Sequence, residues 1–455
     1  MTDTSSHASS DAASDVAPDG TALLWAALGG DPALTGRVSY GGPEGLLPAR
    51  LPVRELAGAS VAVCSLAAAE HAARREGGAV PALRVDDGAV ATAFVSERHL
   101  LIDGRAPETF APLSRFWRTA DGWVRTHANY PHHRAALLAA LKTDEEGVGR
   151  ALAERRALDV EETVYEAGGL AVALRTPEEW SAHPQGASAA RGPLVARERL
   201  DDAAPRARSG PLRVLDLTRV IAGPVATRTL ALLGADVLRV DPPRLPELPD
   251  QHADTGFGKR SATLDLDSRT DRRTLGELLD GADVLVTGYR PGALERYGLS
   301  RPGLVIARLS AWGDDGPWGA RRGFDSLVQA ASGIAVLEGS EERPGALPAQ
   351  ALDHATGYLL AAAVLRSLTE QEDEGGTRLV RTALARTAHF LVHELPGGAA
   401  SRPSPGAYAP ERWLAETDSP LGRLRHALPP VSSPAGATNW SRPPGVWGAD
   451  APRWA

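Results

Sequence analysis

The chain has 455 residues, enough for two or more domains at the usual length of about 100 to 200 residues per domain. Its 49 Lys and Arg residues against 57 Asp and Glu residues give a net charge of −8, which argues against nucleic-acid binding and favours a soluble surface. The single cysteine, Cys64, excludes an intrachain disulfide and a multi-cysteine zinc site, and fits a reducing, cytoplasmic location.

The first part of the chain carries few sharp signals. Residues 1–20 are rich in Ser, Ala and Asp, without a basic start or an apolar core. We therefore expect a disordered leader there, and neither a signal peptide nor a membrane span. Within 21–203, Ser60–Leu66 and Ala79–Val85 have strand composition around a helical stretch, Ala67–Arg75.

A Pro, Arg and Ser rich linker is predicted over 204–210, followed by a second half, 211–391, with clearer patterns. Its first elements are a strand at Val214–Leu217, a turn at Gly223-Pro224, a helix over Ala226–Leu233 and a strand over Val237–Val240. A helix that crosses between parallel strands is the unit of an open α/β sheet, which binds ligands at the carboxyl ends of its strands. The site is therefore expected at the loop Thr218–Pro224.

Six short motifs then follow one another in a recognisable order. They are the strand and loop of Leu212–Asp241, Gly258-Lys259-Arg260-Ser261 with Leu264-Asp265-Leu266, Ala282–Val286, Tyr289-Arg290-Pro291-Gly292, Gly323–Gly333 and Leu352–Gly357. The series resembles the class III CoA-transferase family, which contains formyl-CoA and carnitine CoA-transferases and α-methylacyl-CoA racemases. Six matches in the family's order over about a third of the chain are much more specific than any one of them.

The resemblance implies an α/β fold, with a Rossmann-like open parallel sheet domain, a small α+β domain and an interlocked or fused arrangement. Phe116–Pro131 and Glu162–Pro184 resemble the opening and closing segments of the family's small domain. Residues 21–203 are then a worn copy of the sheet domain plus a small domain, and 392–455 is a Pro and Gly rich C-terminal strap. A separate accessory domain in the first half is the alternative. Both a homodimer and a monomer that acts as a fused pseudo-dimer fit this reading.

The resemblance makes Asp353 the catalytic nucleophile, although Leu352 replaces the glycine that usually precedes it. A carboxylate that attacks an acyl-CoA thioester gives a mixed anhydride and CoA thiolate; the thiolate then returns to give an aspartyl thioester. A small carboxylic acid takes over the CoA through a second anhydride. Asp353 is expected just before a helix over Tyr358–Leu368, and a plain N-cap role for this Asp is the alternative.

The co-substrate implied by the resemblance is coenzyme A, and no metal is expected. The residues implied to bind CoA are Arg219, Ile221 and Ala222 at the thiol end, Arg239, Lys259 and Arg260 toward the nucleotide, and Tyr289 and Arg290 beside the pantetheine arm. Each basic residue has a solvated surface charge as its alternative. Gly288 also departs from an Asn that is common in the family.

Two other functions stay open beside acyl-CoA:carboxylate CoA transfer. A racemase or isomerase needs a second base, but Phe324 stands where racemases commonly place a His, and His354 is the nearest substitute. A catalytically retired paralogue that binds CoA esters fits the worn first half. His127, His132 and His133 match no zinc spacing and are expected in surface or packing roles. No dinucleotide or Walker motif is present in the sequence.

Overall fold

One seven-stranded sheet organises the structure, a computed structural model that describes residues 19–204, 210–340, 342–396 and 408–455. The strands in these residues are β1 (Val38–Gly41), β2 (Leu83–Asp86), β3 (Leu101–Ile102), β4 (Phe116–Arg118), β5 (Trp123–Thr126), β6 (Ala171–Ala173), β7 (Ala196–Arg199), β8 (Arg213–Leu217), β9 (Asp236–Asp241), β10 (Lys259–Thr263), β11 (Val284–Thr287), β12 (Val305–Ser310), β13 (Arg378–Ala383), β14 (Leu414–Ser419) and β15 (Gly422–Ala427).

Helices pack on this sheet and also make up much of the first half of the chain. They are α1 (Asp19–Ala27), α2 (Val53–Glu76), α3 (Asp87–Ala93), α4 (Ser96–His99), α5 (Pro131–Leu141), α6 (Val148–Ala153), α7 (Ala157–Glu166), α8 (Pro177–Ala182), α9 (Pro184–Arg191), α10 (Ala222–Leu232), α11 (Pro249–Thr255), α12 (Arg269–Asp280), α13 (Asp325–Ala331), α14 (Ile334–Leu337), α15 (Ala351–Glu374) and α16 (Leu384–His389).

The order of the large sheet is β10-β9-β8-β11-β12-β13-β7, and only the pairing of β7 with β13 is antiparallel. From β8 the chain moves outward to β9 and β10, and from β11 it moves outward on the other side. The direction of winding therefore reverses between β8 and β11. In open α/β sheets the crevice beyond the carboxyl ends of such a strand pair is the usual ligand site.

The first half differs from the sequence prediction around α2. Ser60–Leu66 is not a strand but the middle of the 24-residue helix Val53–Glu76, which is buried on all sides over most of its length. The predicted strand Ala79–Val85 is shorter and later, at β2, which pairs in parallel with β1. A helix that is apolar all round has no amphipathic period, so its β-branched stretch resembles a strand in sequence.

Helix α2 packs against α15, and these two long helices join the halves of the chain. Arg366 on α15 binds Glu70 on α2, and His71 Nδ1 lies 3.1 Å from Thr369 Oγ1. By length and composition α2 is the one helix among the described residues that is long and apolar enough to cross a membrane, and 83% of that stretch is buried inside the protein. Helix α2 is therefore buried to the extent expected of a helix in the protein core.

Strands β4, β5 and β6 form a separate antiparallel sheet with α5, α6 and α7 around it, within the segment that resembles the small domain. Strand β7 comes from before the predicted linker yet forms the edge of the large sheet. Residues 205–209 of that linker lie outside the described residues. The division of the chain into the predicted units stays a prediction.

The predicted leader lies outside the described residues apart from Asp19 and Gly20, which begin α1. The predicted strap contains a hairpin, β14 with β15, and β15 pairs with β3 of the first half. Beyond the hairpin, three tryptophans donate hydrogen bonds from their indole nitrogens to the second half. Trp440 donates to Arg228 O, Trp447 to Asp241 Oδ2 and Trp454 to Leu278 O. Residues 397–407 lie outside the described residues.

Candidate functional site

The loop after β8 lies where the winding of the sheet reverses. Val220 in this loop has φ +70°, a conformation that costs a β-branched residue free energy and is usually held by its surroundings. Its amide donates to Glu247 Oε2 at 3.0 Å. Helix α10 begins two residues later, and Gly357 of α15 lies so close that a Cβ there would be 2.6 Å from Ala222 O.

Two buried ion pairs fix this loop from below. Asp216, at the end of β8, accepts from Thr218 N, from Thr227 Oγ1 and from Lys259 Nζ, the last at 3.1 Å. Lys259 Nζ also donates to Pro224 O at 3.0 Å, so this lysine joins the strand end to the start of α10. Burial lowers the pKa of Lys259 to about 8, and the nearby Asp216 offsets only part of that effect.

Glu247 is the centre of the second network. It binds Arg239 Nη2 at 2.9 Å, lies 3.6 Å from Arg219 Nη2, and accepts from the Tyr130 hydroxyl. Burial alone would raise the pKa of Glu247, but Arg239 and Arg219 outweigh it and lower that pKa to about 2. One ionised carboxylate thus joins the loop after β8, strand β9 and Tyr130 of the first half.

Asp353 lies in the first turn of α15, whose N-cap is Gln350. It is therefore inside the helix, and the sequence expectation that it precedes a helix beginning at Tyr358 was wrong, as was the alternative N-cap role. The side chain is 6% exposed and lines two adjoining cavities. A carboxylate in the first turn of a long helix is favoured by the helix dipole.

Asp325, the first residue of α13, lies beneath Asp353. Its Oδ2 accepts the amide of Asp353 at 2.9 Å, so this buried carboxylate fixes the first turn of α15. Burial raises the pKa of Asp353 well above the usual range for a carboxyl group, and the charges of Asp325 and Glu97 raise it further. A carboxylate that is hard to keep ionised is also more basic than an exposed one, which suits a nucleophile.

The first of the two cavities, here called the arginine cavity, has a volume of about 270 Å³ and four arginines in its lining. Arg219 and Arg290 come from the loops after β8 and β11, and Arg321 and Arg322 come from the segment before α13. Burial lowers the pKa of Arg322, and Arg290 lowers it further, because the two cations repel each other. Such a cluster favours a polyanionic ligand.

The second cavity has a volume of about 210 Å³ and lies on the other side of a wall formed by five residues. The residues that line both cavities are Tyr130, Val220, Ile221, Phe324 and Asp353. The second cavity also contains Glu97 from α4 and Gln251 from α11. Asp353 is thus the carboxylate that a molecule in either cavity can contact.

Five of the eight residues predicted to bind CoA meet at the arginine cavity together with Asp353: Arg219, Ile221, Ala222, Tyr289 and Arg290. The other three, Arg239, Lys259 and Arg260, do not line it. Arg239 is 1% exposed and is bound to Asp241 and Glu247, whereas Arg260 binds Asp236 on the neighbouring strand. Sequence alone does not separate a ligand-binding arginine from one that holds the loop behind it.

Two of the histidines predicted for surface or packing roles lie at the walls of the cavities. His127 and His133 are 5% and 3% exposed and line the second cavity and the arginine cavity respectively. His127 stacks on Phe324 with ring centroids 3.8 Å apart. His354, the nearest substitute base, is fully buried and lies 3.7 Å from Glu97 Oε2. In the described part of the chain no group of three or more His, Cys, Asp or Glu side chains is placed to hold a metal ion.

Sequence reasoning missed Glu97, Gln251, Glu247 and Arg322. Glu97 and Gln251 lie in stretches without any motif, and only the folded chain brings them to Asp353. Arg322 lies directly before the quoted motif that begins at Gly323, so a longer reading of that motif would have included it. Glu247 follows β9 at the carboxyl end of the sheet, which was a usable signal.

Comparison with known proteins gives a match to the family model described as CoA-transferase family III, over residues 211–408. The acetyl-coenzyme A transferase nodX of Hypoxylon pulicicidum is 30% identical over 283 residues, which are 57% of this chain and 44% of that protein. The formyl-CoA:oxalate CoA-transferase of Streptomyces coelicolor is 34% identical over 192 residues, 38% of this chain and 47% of that protein.

The probable fatty acyl-CoA transferase Rv3272 of Mycobacterium tuberculosis is 34% identical over 219 residues, 42% of this chain and 56% of that protein. A crystal structure of the same Mycobacterium tuberculosis protein has 35% identity over 41% of this chain and 57% of that chain, with a TM-score of 0.38. The chain spans about half the length of the curated relatives that it matches.

Proposed function

We propose that this chain transfers CoA between carboxylic acids, with Asp353 as the nucleophile, a proposal that the match of residues 211–408 to the model of CoA-transferase family III supports. The observation that carries the proposal is the position of Asp353 between the arginine cavity and the second cavity. A carboxylate that both cavities share can receive CoA from a molecule on one side and pass it to an acid on the other. The whole cycle then needs no water and no metal ligand from the protein.

The arginine cavity fits the CoA end of the substrate. CoA carries three phosphate groups on a nucleotide, and its uncharged pantetheine arm ends in the thiol. Arg290 is exposed at the mouth of the cavity, where guanidinium groups suit phosphate oxygens, and Ile221 and Ala222 form an apolar lining near Asp353. Burial raises the pKa of Tyr289 to about 12, so its hydroxyl stays protonated and can donate a hydrogen bond to the arm.

The chemistry proposed for Asp353 has four steps. Its ionised carboxylate attacks the thioester carbonyl, the C–S bond breaks, and CoA leaves as a thiolate from an acyl-aspartyl anhydride. The thiolate attacks the aspartyl carbonyl and releases the first acid as its carboxylate. A second carboxylate then attacks the aspartyl thioester, and the C–S bond breaks to give a new anhydride and the CoA thiolate. The thiolate attacks the new acyl carbonyl, and Asp353 leaves as its carboxylate.

A trapping experiment tests this proposal. The full chain is incubated with a panel of acyl-CoAs, quenched with hydroxylamine and digested, and peptides are analysed by mass spectrometry. We expect a hydroxamate on the peptide that contains Asp353, and none on it in Asp353→Asn. Cys64, the only thiol, is buried, so Cys64→Ser is the matched control and should keep the adduct. CoA binding without any adduct at Asp353 would reject the proposed nucleophile.

Exchange of the α-proton of an acyl-CoA is a second candidate, favoured by one observation. His127 lines the second cavity with Asp353, and burial lowers its pKa well below the usual range, so its imidazole is neutral and able to accept a proton. The two activities separate in deuterium oxide. The isomerase would be favoured if the unaltered chain incorporates deuterium at the α-carbon of the acyl-CoA, if His127→Asn does not, and if labelled CoA is not exchanged.

A further inference from the structure

The second cavity has a charge pattern opposite to that of the arginine cavity. No lysine or arginine contributes to its lining in the described residues, whereas Glu97, Glu108 and Asp250 do. The guanidinium of Arg105, at the rim, is committed to Asp250 through two bonds of 2.6 and 3.1 Å. An acyl group with a second carboxylate would therefore enter a cavity that offers it no free cation.

Arg125 is a buried cation close to this lining, and an aromatic ring covers it. Its guanidinium carbon lies 5.1 Å from the ring centroid of Phe110, which lines the second cavity, and 5.2 Å from that of Phe116. Burial lowers the pKa of Arg125 to about 10, and the charge of Asp325 offsets only part of this effect. Arg125 thus lies behind Phe110 and outside the lining.

Two residues of the lining each carry a buried, uncharged polar atom that has no protein partner in the described part of the chain. Gln251 Nε2 and His127 Nδ1 are both buried and make no hydrogen bond within the described residues. The neighbouring amide of Asn129 does have protein partners, since its Oδ1 accepts from Ala111 N and Ser114 Oγ and its Nδ2 donates one bond, to Thr109 O. A buried donor without a partner costs free energy until a ligand satisfies it.

We propose that the second cavity selects acids whose reacting carboxylate is their only anionic group and whose acyl chain carries an uncharged oxygen, as in a hydroxy or oxo acid. This inference rests on the proposed function, because it assumes that CoA occupies the arginine cavity. The acyl chain then extends past Asp353 into the second cavity. Its oxygen accepts from the side-chain amide of Gln251, and dicarboxylates are excluded because the lining formed by the described residues holds no lysine or arginine.

The test uses three thioesters with four-carbon acyl groups: butyryl-CoA, 3-hydroxybutyryl-CoA and succinyl-CoA. The rate of hydroxamate formation at Asp353 is measured for each with the full chain. One satisfied hydrogen bond predicts a kcat/KM about tenfold higher for the hydroxyacyl than for the butyryl substrate. An unpaired carboxylate predicts a value for succinyl-CoA at least about a hundredfold below that for butyryl-CoA.

Variants assign the selectivity to named residues. Gln251→Leu should reduce the ratio of hydroxyacyl to butyryl rates from about ten to about one. Phe110→Ala, which uncovers Arg125, should raise the relative rate with succinyl-CoA. Thermal unfolding of each variant shows whether it is folded, and the comparison of thioesters in the unaltered chain stands without the variants.

The outcomes keep the two proposals apart. Labelling of Asp353 by succinyl-CoA as fast as by the other two thioesters would overturn the inferred selectivity and leave the transferase intact. A butyryl rate equal to the hydroxyacyl rate would overturn the assigned role of Gln251. Absence of labelling with all three thioesters, and with the wider panel, would instead reject the transferase on which the inference rests.

Discussion

The two cavities share five wall residues but differ in charge, and that difference gives the site a direction. The arginine cavity has four arginines, and two of them, Arg290 and Arg322, repel each other. The second cavity has Glu97 and uncharged polar atoms. A molecule with a polyanionic end and an uncharged end would therefore bind in one orientation only, with its central carbonyl at Asp353.

Both halves of the chain contribute to both cavities. Tyr130 and His133 of the first half line the arginine cavity, and Glu97 and His127 line the second. A single chain therefore contains a site with walls from two segments, the arrangement that the fused reading predicts. The oligomeric state, a homodimer or a monomer that acts as a fused pseudo-dimer, stays a prediction.

The largest effect is expected from the residue that the cavities share. Asp353→Asn keeps the shape of the side chain but removes the nucleophile, so transfer should fall by at least about a thousandfold. Steady-state kinetics with the best acyl-CoA would measure the loss, and calorimetry should show CoA binding retained. Activity within tenfold of the unaltered chain would mean that the two cavities do not communicate through this carboxylate.

Lys259→Met should remove the support beneath the wall. The variant leaves Asp216 as a buried carboxylate without its cation, a change that typically costs about 3 to 5 kcal/mol. Urea unfolding measures this loss, and Arg260→Met on the same strand, whose pair with Asp236 is less buried, should lose less. Equal losses would show that burial of the pair does not matter.

The same lysine has a pH signature. Because the pKa of Lys259 is about 8 in the folded chain and near its ordinary value when unfolded, the unfolded chain binds more protons between about pH 8 and 10. Stability should therefore gain a positive contribution as the pH rises through this window. The difference in unfolding free energy between the unaltered chain and Lys259→Met should grow accordingly.

Arg322→Ala sharpens the comparison from the cationic side. Loss of one charge-assisted bond to a phosphate predicts a rise of about 10- to 100-fold in the KM for acyl-CoA, with a smaller change in kcat. The exposed Arg273 on α12, which pairs with Glu277, supplies the control, and Arg273→Ala should leave KM unchanged. A change in kcat alone would place Arg322 at the reaction step instead of at CoA binding.

The loop after β8 and Asp353 could be predicted from sequence because local motifs mark both. Helix α2 could not be predicted correctly, since a helix buried on every side has no apolar period. Arg239 was predicted to lie toward the CoA nucleotide, but it binds Asp241 instead. Sequence shows that a residue is charged but not which carboxylate it meets after folding.

The second cavity escaped prediction for a related reason. Glu97, His127 and Gln251 come from three distant segments, and none belongs to a motif that marks the site. Their positions at one cavity with Asp353 depend on the tertiary arrangement of α4, the end of β5, α11 and α15. Sequence motifs record local chemistry, whereas the walls of a cavity between segments are set by packing.

The smallest expected effect is a pH shift from the acidic side of the comparison. Asp353 attacks only when ionised, and its raised pKa makes activity fall as the pH drops through that value. Glu97→Gln removes one of the charges that raise this pKa, so the acidic limb of kcat/KM should move to lower pH, by less than about one unit. Glu108→Gln, at the exposed rim of the same cavity, should not move it. An unshifted limb in Glu97→Gln would mean that burial and Asp325 alone set the basicity of the nucleophile, and that the charge difference between the cavities sorts substrates without tuning Asp353.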